Sequence, residues 1–277
     1  MQIRDSIVPL GDGIHVEVRR IRHPDSEAGA ASAAPKPTLV FLHESLGSIA
    51  LWRKFPERLA KATGCDALIY NRLGYGGSSD EELPRPYDYQ EREGAVVLPR
   101  LLDELGIDRV ALIGHSDGGS IALIAAGALG ERVVGLITMA AHTYADQLTI
   151  DGITEMMDRY QSTDLRDKLH RYHGARTDDL FRAWHTVWLD EGFDASLDFR
   201  DWLEAIRCPA MIIQGEVDEY GVPEQVTDIV AGIGPSAQPL FLPDTGHSPH
   251  LEKPDQVLEL VCDFLLGQSA SKSENSY

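Results

Sequence analysis

Short apolar runs alternate with helix-spaced stretches along most of this chain, and this alternation limits the fold more than any other feature. Residues 38–42, 66–70, 109–113 and 133–139 form the runs. Between them, residues 51–63, 88–105 and 120–129 carry apolar side chains at helical spacing. A strand buried on both faces reads as a continuous apolar run. The pattern therefore predicts an α/β fold with a mostly parallel central sheet covered by helices on both faces. At 277 residues the chain can bury most of its unfolded surface, so it needs no disulfide or metal to hold a core.

The ends and the middle depart from that rhythm. Residues 2–8 and 14–22 read as strands joined by a hairpin at Gly11-Asp12-Gly13. Residues 23–37, rich in Ala, Ser and Pro, read as a loop. From 141 to 206 no strand-like run appears, and helical pieces at 149–161, 164–172, 177–189 and 198–206 predict an inserted helical cap. The alternation resumes at 210–214, 223–233, 239–242 and 253–266. The expected organisation is an α/β core in two parts, 1–140 and 207–266, a cap at 141–206, and a polar, disordered tail at 267–277.

Charge narrows the partners. The chain has 25 Lys and Arg against 44 Asp and Glu, a net charge of −19. Phosphate recognition is driven by clustered Lys and Arg, so neither nucleic acid nor an anionic membrane surface is an expected partner. A neutral or cationic small molecule fits better than an anion. Cys65, Cys208 and Cys262 are far apart with no CxxC, which predicts buried free thiols rather than a disulfide framework or a zinc site. No charged segment leading into an apolar one opens the chain, and no apolar stretch reaches the ~18 residues that span a bilayer. The expectation is a soluble cytoplasmic protein, monomer or homodimer, with no metal and no cofactor.

The strongest chemical signal is Gly114-His115-Ser116-Asp117-Gly118-Gly119. It follows one apolar run and precedes a helix, so it is G-x-S-x-G in a strand–turn–helix setting. Only small residues fit two positions either side of the serine in so tight a turn, which holds the Ser116 hydroxyl exposed above the sheet. A serine hydroxyl is a poor nucleophile and needs a base. Of ten histidines, His247 lies on the loop after the last expected strand, at the same sheet end as Ser116. His250 reads as a capping or packing residue. The base needs an orienting carboxylate, and Asp218 lies on the loop between the 210–214 run and Pro223. Glu216 and Glu219 on that loop read as solvated. An oxyanion needs two N–H donors. One is expected from Asp117, the other from the loop after Leu42, at Ser45 with Leu46 as the alternative.

Together these motifs resemble the α/β-hydrolase superfamily over residues 38–266, and the chain order Ser116, Asp218, His247 is the order that superfamily uses. The turn with Asp117 after the serine, and Leu46-Gly47-Ser48 in the oxyanion loop, are similar to its valacyclovirase-like branch. The resemblance implies a cofactor-free serine hydrolase of small carboxylic esters, aminoacyl esters included. Ser116 would be nucleophile, His247 base, Asp218 orienting acid, and Asp117 part of the oxyanion turn. A serine nucleophile argues against haloalkane dehalogenases and epoxide hydrolases, which resemble this fold but use an aspartate. Two positions depart from the superfamily. Glu44 follows His43 where glycine is common, which places a carboxylate near the site. Leu73 stands where arginine is common, which predicts that a structural ion pair there is absent.

Glu44, Leu46, His142, Tyr144 and Trp184 are the expected substrate-binding residues, with Met156, Met157, Tyr160, His185 and Trp188 as further pocket candidates from the cap. The carboxylates of Asp117 and Glu44 are both expected within reach of the acyl group, where they would favour a substrate bearing an ammonium. Two other readings stay open. One is a C–C bond hydrolase or lactonase using the same three residues. The other is a ligand receptor on this fold with negligible turnover.

Overall fold

The computed structural model describes residues 1–24 and 36–274. Most of the expected 23–37 loop, and residues 275–277 of the expected tail, lie outside the described residues. The described strands are β1 (Gln2–Gly11), β2 (Ile14–Arg22), β3 (Thr38–Leu42), β4 (Ala67–Tyr70), β5 (Val110–His115), β6 (Val133–Met139), β7 (Ala210–Gly215) and β8 (Ala237–Leu242). They form one sheet in the order β1-β2-β4-β3-β5-β6-β7-β8. β1, β2 and β4 pair antiparallel in succession, and the remaining pairs from β4 to β8 are parallel.

Helices fill the crossovers that parallel strands require. α1 (Phe55–Thr63) joins β3 to β4. α2 (Tyr89–Arg92) and α3 (Leu98–Glu104), linked by a π-helical turn at Glu93–Val97, lead into β5, and α4 (Asp117–Leu129) leaves it. Between β6 and β7 run α5 (Gln147–Ser162), α6 (Leu165–His173), α7 (Thr177–Trp188), α8 (Glu191–Ser196) and α9 (Arg200–Ala205). α10 (Glu224–Ile233) joins β7 to β8, and α11 (Pro249–Glu252) and α12 (Pro254–Glu274) close the chain.

Successive side chains of a strand point to opposite faces, and the core divides accordingly. Val40, Leu42, Val110 and Leu112 pack with α3, α4 and α10. Their neighbours Leu39, Phe41, Ala111 and Ile113 pack with α1 and α12. α4 is apolar nearly all round and is buried nearly all round, as such a helix must be. A third cluster, including Ile153, Leu169, Phe181, Trp184, Trp188 and Phe193, lies among α5 to α8. α9 behaves differently: Phe199, Leu203 and Ile206 belong to the α4 side of the main core.

Three details differ from the sequence reading. The helix expected over 51–63 is two pieces, a 3-10 turn at Ile49–Trp52 and then α1. Arg53 between them takes φ 52, and Pro56 sits in the first turn of α1, where its missing N–H costs no helical bond. The last helix does not stop at Leu266, because its backbone continues to Glu274 through part of the expected tail. Cys65 and Cys208 are buried, whereas Cys262 is half-buried, and none of the three is in a disulfide. Among the described residues no helix is long and apolar enough to cross a membrane.

Candidate active site

β5 ends at His115 and α4 begins at Asp117, which leaves Ser116 alone in the turn. Its backbone lies at φ 51, ψ −123, a region that L-residues avoid and that survives only where the surroundings enforce it. The Ser116 N–H donates to Met139 O at 2.8 Å, and the Gly119 N–H donates to Ser116 O at 2.7 Å. Sterics complete the constraint. A Cβ on Gly114 would lie 2.3 Å from Gly118 O, and one on Gly118 would lie 2.1 Å from Leu42 O. The glycines of the motif are therefore required by backbone contact.

The loops after β7 and β8 emerge at the same end of the sheet, and they bring the other two predicted residues to Ser116. His247 Nε2 is 2.9 Å from Ser116 Oγ, and His247 Nδ1 is 2.8 Å from Asp218 Oδ1. Asp218 Oδ1 also accepts the Tyr220 N–H at 2.9 Å. Burial alone would lower the His247 pKa, but the Asp218 carboxylate more than offsets it and holds it above the ordinary histidine value. Burial would likewise raise Asp218, and His247 holds it below the usual carboxylate value. Glu216 is exposed, as a solvated residue should be. Glu219 is exposed as well, and it also accepts the His247 backbone N–H at 3.2 Å and lines the adjacent cavity. His250 is buried and packs on Trp52, Phe55 and His115.

The loop after β3 is held by its carbonyls. Glu44 O accepts from His43 Nδ1 at 2.8 Å, from the Gly47 N–H at 2.9 Å and from Arg72 Nη2 at 3.0 Å. Ser45 O accepts from the Tyr75 hydroxyl at 2.5 Å, and Leu46 O from His173 Nε2 of α6 at 2.8 Å. A trans peptide is planar, so fixing a carbonyl fixes the next residue's N–H in the opposite direction. The N–H groups of Ser45 and Leu46 are thereby oriented. His43 donates through Nδ1 and accepts the Arg72 N–H at Nε2, which is a neutral imidazole. Burial and then Arg72 push its pKa down to about 3. Asp117 is the first residue of α4, so its N–H is one of the donors that no helical carbonyl reaches.

A cavity of about 270 Å³ opens onto Ser116 and His247. Glu44, Ser45, Leu46, His142 and Trp184 line it, as does apolar surface from Ile153, Met156, Leu169 and Trp188. His142 Nε2 donates to Tyr220 O at 2.9 Å, and burial, then His247, lowers its pKa. The Glu44 side chain is 28% exposed. Burial would raise its carboxyl, but His115 beside it brings it to about 2, so it is ionised at neutral pH. Glu219, Tyr220 and His115 also line the cavity. The sequence reading missed them as pocket residues, although each adjoins or neighbours a motif residue.

Three expectations need correction. Tyr144 is outside the cavity, because its hydroxyl reaches across to Asp228 of α10 at 3.3 Å. Met157, Tyr160 and His185 are also outside it, and Tyr160 stacks on Phe181 instead. The Asp117 carboxylate does not line the cavity at Ser116. It is fully buried, takes the Tyr89 hydroxyl at 2.6 Å and Gln90 Nε2 at 2.7 Å, and pairs with Arg72 Nη1 at 2.8 Å. That last contact corrects the reading of Leu73 as well: the neighbouring Arg72 supplies a buried ion pair.

The comparisons with known proteins agree with this architecture. The profile of the Alpha/beta hydrolase family matches residues 39–260. The human serine hydrolase BPHL is 29% identical over 206 residues, covering 72% of this chain and 68% of that protein. The 2-hydroxy-6-oxononadienedioate/2-hydroxy-6-oxononatrienedioate hydrolase of Cupriavidus pinatubonensis is 29% identical over 272 residues, covering 89% of this chain and 90% of that one. Among solved structures, a serine hydrolase from Cycloclasticus zankles superposes with a TM-score of 0.77 at 17% identity, over 96% of this chain and 99% of that one. With the family profile covering most of its length, this chain belongs to the α/β hydrolase family.

Proposed function

We propose that this α/β hydrolase is a serine hydrolase of small carboxylic esters that works through an acyl-enzyme. The carrying observation is the hydrogen-bonded chain from Ser116 Oγ through His247 to Asp218, at 2.9 and 2.8 Å. Neutral His247 takes the Ser116 proton at Nε2 as Oγ attacks the acyl carbon. Asp218 keeps the imidazole in the tautomer with Nδ1 protonated and stabilises the imidazolium that forms. The N–H groups of Asp117 and Ser45 receive the developing oxyanion. The imidazolium then protonates the leaving alkoxide. A water deprotonated by His247 attacks the acyl-enzyme and releases the acid.

The cavity charge favours an ester over a dienedioate. The substrate of the Cupriavidus relative is a dianion by its name. Here Glu44 and Glu219 line the cavity, and no lysine or arginine is among the described lining residues. Two carboxylates would repel such a substrate, whereas a neutral or cationic ester meets no such barrier. The helices α5 to α8 act as the cap in this reading, and their apolar lining accepts a hydrocarbon group.

The test is a fluorophosphonate probe together with a substrate panel. Rapid labelling at Ser116, with turnover of p-nitrophenyl esters exceeding that of vinylogous diketones, is the expected result. Labelling with diketone turnover dominant would favour the C–C hydrolase. No labelling would favour a ligand receptor.

A further inference from the structure

We infer that Arg72 is a positioning residue that sets both halves of the oxyanion site through one guanidinium, an inference that rests on the reading of Ser116 as the nucleophile. Arg72 follows β4, and its side chain is 3% exposed. Nη1 lies 2.8 Å from Asp117 Oδ2, and Nη2 donates to Glu44 O at 3.0 Å. The first contact holds the start of α4, where the Asp117 N–H has no helical carbonyl to donate to. The second holds the carbonyl of the peptide whose N–H belongs to Ser45. The two donors come from loops after different strands, β5 and β3, and this side chain spans them.

The rest of the surroundings directs Arg72 to that task. Its backbone N–H donates to His43 Nε2 at 3.2 Å, and His43 in turn donates to the same Glu44 carbonyl. Its guanidinium carbon lies 4.9 Å from the centre of the Tyr75 ring, whose hydroxyl holds Ser45 O. Burial opposes the charge of Asp117, and Arg72 keeps that carboxyl below its ordinary value, so the pair is ionised. A guanidinium is a planar fork with donors in several fixed directions, which one ammonium cannot reproduce. The superfamily-like segment 71–74 thus carries its arginine to the oxyanion site.

The experiment compares wild type with Arg72→Lys on a neutral p-nitrophenyl ester and on an arylboronic acid, whose tetrahedral adduct on Ser116 presents an oxygen to the oxyanion donors. Removing one oxyanion donor costs about 10²- to 10³-fold in kcat, and misplacing both costs on the order of 10- to 100-fold. The expected result is a kcat loss of that size, KM within about twofold, and boronate affinity weakened by the same factor as kcat. The pH midpoint set by His247 stays in place. A purely structural role would lower the folded fraction without moving boronate affinity per labelled site. Arg72→Met combined with Asp117→Asn removes both charges and leaves no unpaired buried ion, so it carries the same expectation if the lysine variant does not fold. Wild-type kcat and boronate affinity in either folded variant overturns the inference, as does lost kcat with boronate affinity intact. A wild-type protein that neither labels nor turns over esters overturns the nucleophile reading itself, and the inference with it.

Discussion

His115 Nε2 lies 2.8 Å from the backbone carbonyl oxygen of His247. A carbonyl only accepts, so this nitrogen carries the proton. The residue before Ser116 therefore holds the loop that carries His247. The other ring nitrogen is 3.6 Å from Glu44 Oε2, which is too long for a hydrogen bond but places the ring between the loop of His247 and the loop of Glu44. Replacing His115 by leucine removes the donor and frees the His247 backbone. Displacements of about 1 Å at such a site can cost about 10²-fold. We expect kcat/KM to fall about 10- to 100-fold, and His115→Gln, whose amide can still donate, to recover most of it. Equal activity of the leucine and glutamine variants would show that the hydrogen bond does not position the base.

Ser116→Ala removes the nucleophile without touching the backbone contacts that form its turn. It should fold with an unchanged melting temperature and lose ~10⁴-fold or more in kcat. Retention of wild-type esterase rates would sink the acyl-enzyme mechanism.

The pH dependence follows from His247. Only neutral imidazole can take the Ser116 proton, and Asp218 holds the His247 pKa above its ordinary value of ~6.5. Activity is therefore lost as pH falls, and kcat/KM should rise through one titration with a midpoint above ~6.5. Asp218→Asn removes the charge that raises the pKa, so its midpoint should move down while the plateau falls. A midpoint that stays put in Asp218→Asn would show that another group sets the profile.

Asp117 follows the nucleophile, yet its carboxylate turns away into a pocket of Arg72, Tyr89 and Gln90. Asp117→Ala leaves Arg72 buried without its counter-charge, which costs about 3–5 kcal/mol in systems of this kind. Urea denaturation should show a loss of that order. The activity lost should be the same factor for valine benzyl ester and for its des-amino analogue. A selective loss on the amino ester would mean that the carboxylate reaches substrate after all.

The sheet and the three central residues were legible in the sequence because backbone requirements wrote them there. Buried parallel strands must be apolar on both faces, and Gly114 and Gly118 have no room for a Cβ. Loop positions after β7 and β8 follow from strand order alone, so Asp218 and His247 are placed by the sequence itself. Side-chain direction was not legible. Asp117 and Tyr144 sit beside the right elements but point elsewhere, toward Arg72 and Asp228. The role of Arg72 is not legible either, because its partners lie 28 and 45 positions away, and no local spacing encodes such a meeting. The amphipathic helices α5 to α8 present a similar difficulty, since their packing residues and pocket residues share one composition.

Glu44 is the residue through which cavity charge can be tested. It occupies a position where glycine would be common, it is ionised at neutral pH, and it lines the cavity beside Ser116. Its carboxylate is partly open to solvent, so its field on a substrate is screened and the effects should be moderate. Glu44→Gln keeps the shape and removes the charge. We expect kcat/KM for an ester carrying a carboxylate, such as a succinate monoester, to rise on the order of 10-fold, about 1.4 kcal/mol. The value for an amino ester should fall by a similar factor, and that for a neutral ester should stay within about twofold. Glu44 also contributes to raising His247, so the acid limb of the pH profile should move to lower pH in the variant. An equal change for anionic, neutral and cationic esters would mean that Glu44 supports the loop and does not select substrate by charge.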